Sequence, residues 1–135
     1  METLKIKRSD ISPEMVLDHK QKSFYIEGVS RPEDVRELFL PVVKWMKAYQ
    51  EYLCSLEDEY YSEDEPMIFK FDLEYFNSST AKFLYDIIIA IRRLKECNIN
   101  VEIAWIYYEE DTDMKEAGED LAILADLEFA YISKQ

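Results

Sequence analysis

The sequence predicts an α/β domain, a mixed β-sheet with helices mainly on one face, in the order β-β-α-β-α-β-α-β. Two observations carry this expectation. After residue 30, strand-like segments alternate with long amphipathic segments, and helical crossovers demand parallel neighbours. The strands themselves are half wet. In MIFKFDLEYF (67–76), Met67, Phe69, Phe71, Leu73 and Tyr75 share one side, and Lys70, Asp72 and Glu74 share the other. A parallel sheet covered on both faces would be apolar on both.

The elements follow in order. MVLDHKQKSFYIEG (15–28) reads as two short strands around a turn at His19–Lys22. Ser30, Pro32 and Glu33 have the spacing of a capping box, with Ser30 as N-cap of the first helix. Its apolar stripe is Val35, Leu38, Phe39, Val42, Met46, Tyr49, Leu53 and Leu56, with Pro41 expected to kink it near its start. The acidic run EDEYYSEDEP (57–66) reads as a solvated loop closed by Pro66. After the strand at 67–76, a helix from about Ser79 to Cys97 buries Leu84, Ile87, Ile88, Ile91 and Leu94. VEIAWIYY (101–108) is the next strand, 112–125 a third helix, and LEFAYI (127–132) a closing strand. At 135 residues and 48% apolar content, the chain suits one domain, 1–135, with one real core.

Composition narrows the function. There are 29 acidic against 16 basic residues, a net charge of −13, which repels nucleic acid and anionic membranes and favours a partner with a basic surface. No apolar run approaches the roughly 20 residues that span a bilayer. The start, METLKIKRSD, lacks the apolar core of a signal peptide, so the expected location is cytoplasmic. Cys54 and Cys97 lie far apart in helical patterns without metal-ligand or CxxC spacing, and are expected to be buried, reduced thiols. His19, the only histidine, falls in a polar turn and is expected at the surface. With one histidine, no GxSxG and no nucleophile–base set, no enzyme, cofactor or metal is expected.

Two stretches could carry function. In YFNSSTAK (75–82), a strand runs into a helix through Asn77, Ser78, Ser79 and Thr80. Free N–H groups and the positive end of the helix dipole favour an anion there. A phosphorylated hydroxyl would fit; so would a plain cap made by Ser78 or Ser79. In YYEEDTDMKEAGED (107–120), Glu109, Glu110, Asp111 and Asp113 lead a run of carboxylates. An EF-hand needs Gly at its sixth position, and counting from Asp111 that position is Glu116, so calcium is not expected. The run reads as a solvated loop with acidic residues at a helix start, or as a partner-facing patch.

Four segments resemble the SiaC-type regulatory phosphoproteins: Gly28 with RPEDVRELFLPVVKW (31–45), LEYFNSSTAKFL (73–84), VEIAWIYYEEDTDMKEAGED (101–120), and the strand near Phe129. The resemblance covers roughly residues 8–132. It implies a STAS-like fold, as in anti-sigma factor antagonists. It implies phosphorylation at the strand–helix junction by a serine/threonine kinase of the histidine-kinase-like ATPase type, reversed by a PP2C-like phosphatase. It also implies that the unmodified form binds and activates a diguanylate cyclase, in cyclic-di-GMP and biofilm signalling. The family motif reads Asn-Thr-Ser-Ser, any residue, Lys; here it is Asn77-Ser78-Ser79-Thr80-Ala81-Lys82. The family's phosphorylated threonine falls on Ser78, with Ser79 and Thr80 the next candidates and Asn77 and Lys82 the supporting shell. The family's Pro-Phe near the C-terminus is replaced by Leu127-Glu128-Phe129. The alternative to a switch is a constitutive acidic binding module, in which Glu109, Glu110, Asp111 and Asp113 dock on a basic protein and the hydroxyls only cap.

Overall fold

The computed structural model describes every residue, Met1 to Gln135. Its elements are β1 (Leu4–Ile6), β2 (Glu14–Asp18), β3 (Ser23–Ser30), α1 (Val35–Ser55), β4 (Met67–Phe76), α2 (Ser78–Glu96), β5 (Val101–Tyr108), α3 (Thr112–Ala125) and β6 (Ala130–Lys134). The strands form one mixed sheet in chain order. β1, β2 and β3 are antiparallel neighbours; β3 to β6 run parallel. Each crossover from β3 onward steps to the next strand in the same direction. Such connections are right-handed, so all three helices fall on one face.

The half-wet strand pattern is the consequence. Met67, Phe69, Phe71 and Leu73 of β4 are buried under the helices, while Ile68, Lys70 and Glu74 face solvent. Against them pack Phe39, Val42, Met46 and Tyr49 of α1 and Leu84, Ile87, Ile88 and Ile91 of α2, all fully buried. α3 lies close on β5. The indole N–H of Trp105 donates to the carbonyl of Met114 at 2.9 Å. A Cβ on Gly118 would stand 2.5 Å from that same indole nitrogen, so only glycine lets α3 seat on the ring.

Several boundaries differ from expectation. β1 is an extra strand, held by pairing Leu4 and Ile6 with Leu17 and Met15. Ser30 does not cap α1: it ends β3 fully buried, and Asp34 caps the helix by accepting the Glu37 N–H at 3.0 Å. Helix α1 continues through Pro41, which is exposed. The closing strand starts at Ala130, not 127. Residues 127–129 form a connector, with Asp126 in the left-handed region and Phe129 tucked into the core. The acidic loop is not wholly solvated, because Tyr61 is buried and shares a 2.6 Å hydrogen bond with Tyr49. His19 is only half exposed. It stacks on Tyr60 at 4.1 Å and bonds the Tyr49 hydroxyl through Nδ1 at 2.7 Å. Cys54 and Cys97 are neither buried nor reduced here. Cys54 is half-buried and Cys97 exposed, and a disulfide joins the end of α1 to the residue capping α2, with the Cα atoms 5.7 Å apart. Helices α1 and α2 run side by side and end at the same pole, which brings two distant thiols together.

Candidate functional site

The parallel strands β3, β4 and β5 all finish at one edge of the sheet, and each is followed by a helix. The starts of α1, α2 and α3 therefore share that edge, capped by Asp34, Asn77 and Asp111. This is the edge where open α/β sheets place ligand and partner surfaces.

At the middle junction the three hydroxyls have three different fates. Asn77, and neither Ser78 nor Ser79, is the cap of α2. Its Oδ1 accepts the Thr80 N–H at 3.0 Å, the Thr80 hydroxyl at 2.8 Å and the Ser79 hydroxyl at 2.9 Å. Because Thr80 Oγ1 donates to Asn77, it accepts from Ser30 Oγ, 2.9 Å away; both hydroxyls are fully buried. Ser30 reaches this position through a register shift after Gly28, whose φ of +124° is open to glycine alone. The shift sets Ser30 opposite Phe76, beside Asn77, whose N–H donates to the Ser30 carbonyl at 3.1 Å.

Ser78 is what remains. It is the first residue of α2, exposed, and its hydroxyl bonds nothing in the chain. The N–H groups of the first helical turn that Asn77 does not take up point outward beside it. Lys82 stands four residues on, on the same helix face as Ser78, but its ammonium pairs with Asp86 at 3.2 Å and lies 5.2 Å from the Phe83 ring centre. The carboxylates nearest in sequence are occupied: Glu74 pairs with Arg8 at 3.6 Å, and Asp72 with Lys134.

The acidic stretch also divides. Asp111 Oδ1 accepts the Met114 N–H at 3.1 Å as cap of α3, and Asp113 sits in the first turn. Both suit the positive helix end. Glu109 and Glu110 are exposed in the tight connection after β5, where the Glu109 N–H donates to the Lys134 carbonyl. No three carboxylate, histidine or thiol groups converge closely enough to hold a metal ion. No helix is long and apolar enough to cross a membrane. Sequence reasoning missed Ser30 as a member of the junction. Its only local signal was a capping pattern that pointed to the wrong helix.

A sheet covered on one face, with three helix starts on one edge and the free, exposed hydroxyls of Ser78 and Thr112 among them, is the architecture of a small α/β domain. The comparisons place it more narrowly. Residues 6–134 match the model of the SiaC family regulatory phosphoprotein, and the chain belongs to that family. Among solved structures it is similar to apo-SiaC from Pseudomonas aeruginosa, with a TM-score of 0.76 and 21% identity, covering 100% of each chain. It is also similar to SiaC from the same organism in complex with the diguanylate cyclase SiaD, of which SiaC is named the activator. There the TM-score is 0.80 at 21% identity, covering 97% of this chain and 99% of that one. A comparison with curated protein sequences gives no match.

Proposed function

We propose that the chain is a non-enzymatic phosphoprotein of a bacterial partner-switching pathway, modified at Ser78. The observation that carries this reading is the division of labour at the junction: Thr80 is buried, Ser79 braces the cap, and Ser78 alone is exposed and unbonded. A serine/threonine kinase of the histidine-kinase-like ATPase type transfers the terminal phosphoryl group of ATP to Ser78 Oγ, and a PP2C-like phosphatase hydrolyses it away. The cytoplasm, where ATP is available, is the compartment this requires.

Unmodified, the edge carrying Ser78 docks on an output protein. The SiaD–SiaC complex suggests a diguanylate cyclase for that role. Phosphate brings about −1.5 to −2 charges and three acceptor oxygens into the docking surface. Glu109 and Glu110 stand on the same edge, so the added charge meets acid already present. A loss of about 3 kcal/mol, roughly 100-fold in affinity, is enough to switch occupancy.

The test is phosphorylation by the cognate kinase with ATP, mapped by mass spectrometry, on wild type and on Ser78→Ala. Labelling should vanish in the variant while the far-UV spectrum is unchanged. Full labelling of Ser78→Ala would remove the assignment. Ser78→Asp should also lose the output protein in a pull-down. Equal recovery would favour the constitutive acidic module.

A further inference from the structure

The pole opposite Ser78 carries a second surface. α3 leaves the finishing end of β5 and returns to the starting end of β6, so its last turn lies at the far edge of the sheet. Its core-facing residues are Met114, Gly118, Leu121 and Ala125. Ile123 and Leu124 lie off that face, 77% and 67% exposed. Ile123 forms one wall of an open groove of about 820 Å³, with Leu127, Phe129 and Tyr131 along it. Single exposed apolar residues are ordinary; two adjacent ones, with Ile123 opening onto a groove lined by Leu127, Phe129 and Tyr131, suit an interface.

The rim says what fits. Glu119, Asp126 and Glu128 border the groove with Lys95, and Arg92 stands 4.0 Å from Asp126, which leaves Glu119 and Glu128 as the unpaired acids of the rim. A second copy of the chain would set acidic rim against acidic rim, on molecules that each carry −13. Anionic lipid is repelled for the same reason. The α3 wall offers side chains alone, which suits a helix laid along it; β6, on the other side, is the outer strand of the sheet, so a strand added to its free edge is the competing occupant and would centre the shifts on residues 130–134 instead. We infer that this groove docks an amphipathic helix of a partner protein, with an apolar row flanked by Lys or Arg. It is separate from the Ser78 edge and stays open whatever the state of Ser78.

The experiment uses the ¹⁵N-labelled full chain and a Leu/Lys helical peptide of about 14 residues, four turns. A Ser/Lys peptide of equal charge serves as control. Saturable shifts should map to Lys95 and residues 122–131 with the Leu/Lys peptide alone. Ile123→Ser with Leu124→Ser should weaken binding at least tenfold. Glu119→Lys with Glu128→Lys should weaken it as much and admit a Leu/Glu peptide instead. Ser78→Asp should bind the Leu/Lys peptide as wild type does. Shifts centred elsewhere, equal binding by either double variant, or tenfold weakening by Ser78→Asp would overturn the proposal. So would a wild-type dimer in sedimentation, or adsorption to anionic vesicles, that Ile123→Ser with Leu124→Ser abolishes. Failure of phosphorylation at Ser78 would leave it standing.

Discussion

Thr80→Val is the sharpest probe of the junction. Valine keeps the shape of threonine and deletes only its hydroxyl. Two contacts go: the 2.8 Å donation to Asn77 and the 2.9 Å acceptance from Ser30. Asn77 still receives the Thr80 and Ser79 donors, so its loss is small. Ser30 is fully buried and is left without a partner. An orphaned buried hydroxyl costs about 1–3 kcal/mol, so about 2 kcal/mol is expected from urea unfolding at constant m-value. Adding Ser30→Ala removes the orphan, and the double variant should be at least about 1 kcal/mol more stable than the two single losses sum to. Phosphorylation should persist in Thr80→Val, because Ser78 is untouched. A variant that folds with wild-type stability, a strictly additive pair, or loss of the label with the fold intact would each refute this account of the junction.

Three further outcomes follow from the packing. Gly118→Ala should lower stability by about 1–2 kcal/mol, because its new Cβ meets the buried Trp105 ring and overpacking outweighs the better helix propensity; a melting temperature unchanged or raised would count against the contact. Burial lowers the His19 pKa below its usual 6.5, helped by the N-terminal ammonium and Lys22 and opposed by Asp18. The unfolded chain then takes up the proton first. The stability His19 contributes is therefore complete above about pH 6.5 and is lost as pH falls toward its folded value, and His19→Gln should flatten the urea midpoint across that window. Reducing the Cys54–Cys97 bridge, which joins residues 43 apart, should cost about 2–4 kcal/mol; an identical urea curve with and without reductant would show that the bridge does not hold α1 to α2.

Much of the architecture was legible because it rests on local periodicity. The alternation of Phe69, Phe71 and Leu73 and the three-and-four spacing of Leu84, Ile87, Ile88, Ile91 and Leu94 each declare one buried face, and all eight are buried. The sheet covered on one side follows from the polar partners Lys70 and Glu74. What could not be read depends on contacts distant in sequence. Leu4–Ile6 is too short to show a period and becomes a strand only by pairing with β2. Ser30 looked like a cap because its neighbours fit one. It ends β3 instead because Asn77 and Thr80, nearly fifty residues on, take up its carbonyl and its hydroxyl. Tyr61 sits in a strongly acidic run, yet the Tyr49 hydroxyl draws it inward. At the candidate site the junction itself was visible in Asn77-Ser78-Ser79-Thr80. Which hydroxyl was free was not, since that depends on where β3 ends.

The disposition of Asn77 has a bearing on how long the protein lasts. One carbonyl oxygen gathers three donors and relieves Ser78 of any structural duty. A side chain on which nothing leans can be altered without removing a contact that keeps the chain closed to proteases. A phosphate there would alter what the surface attracts and, at the positive end of α2, would favour the closed chain over the open one. A signal written there would be read as a change of company, with no loss of abundance.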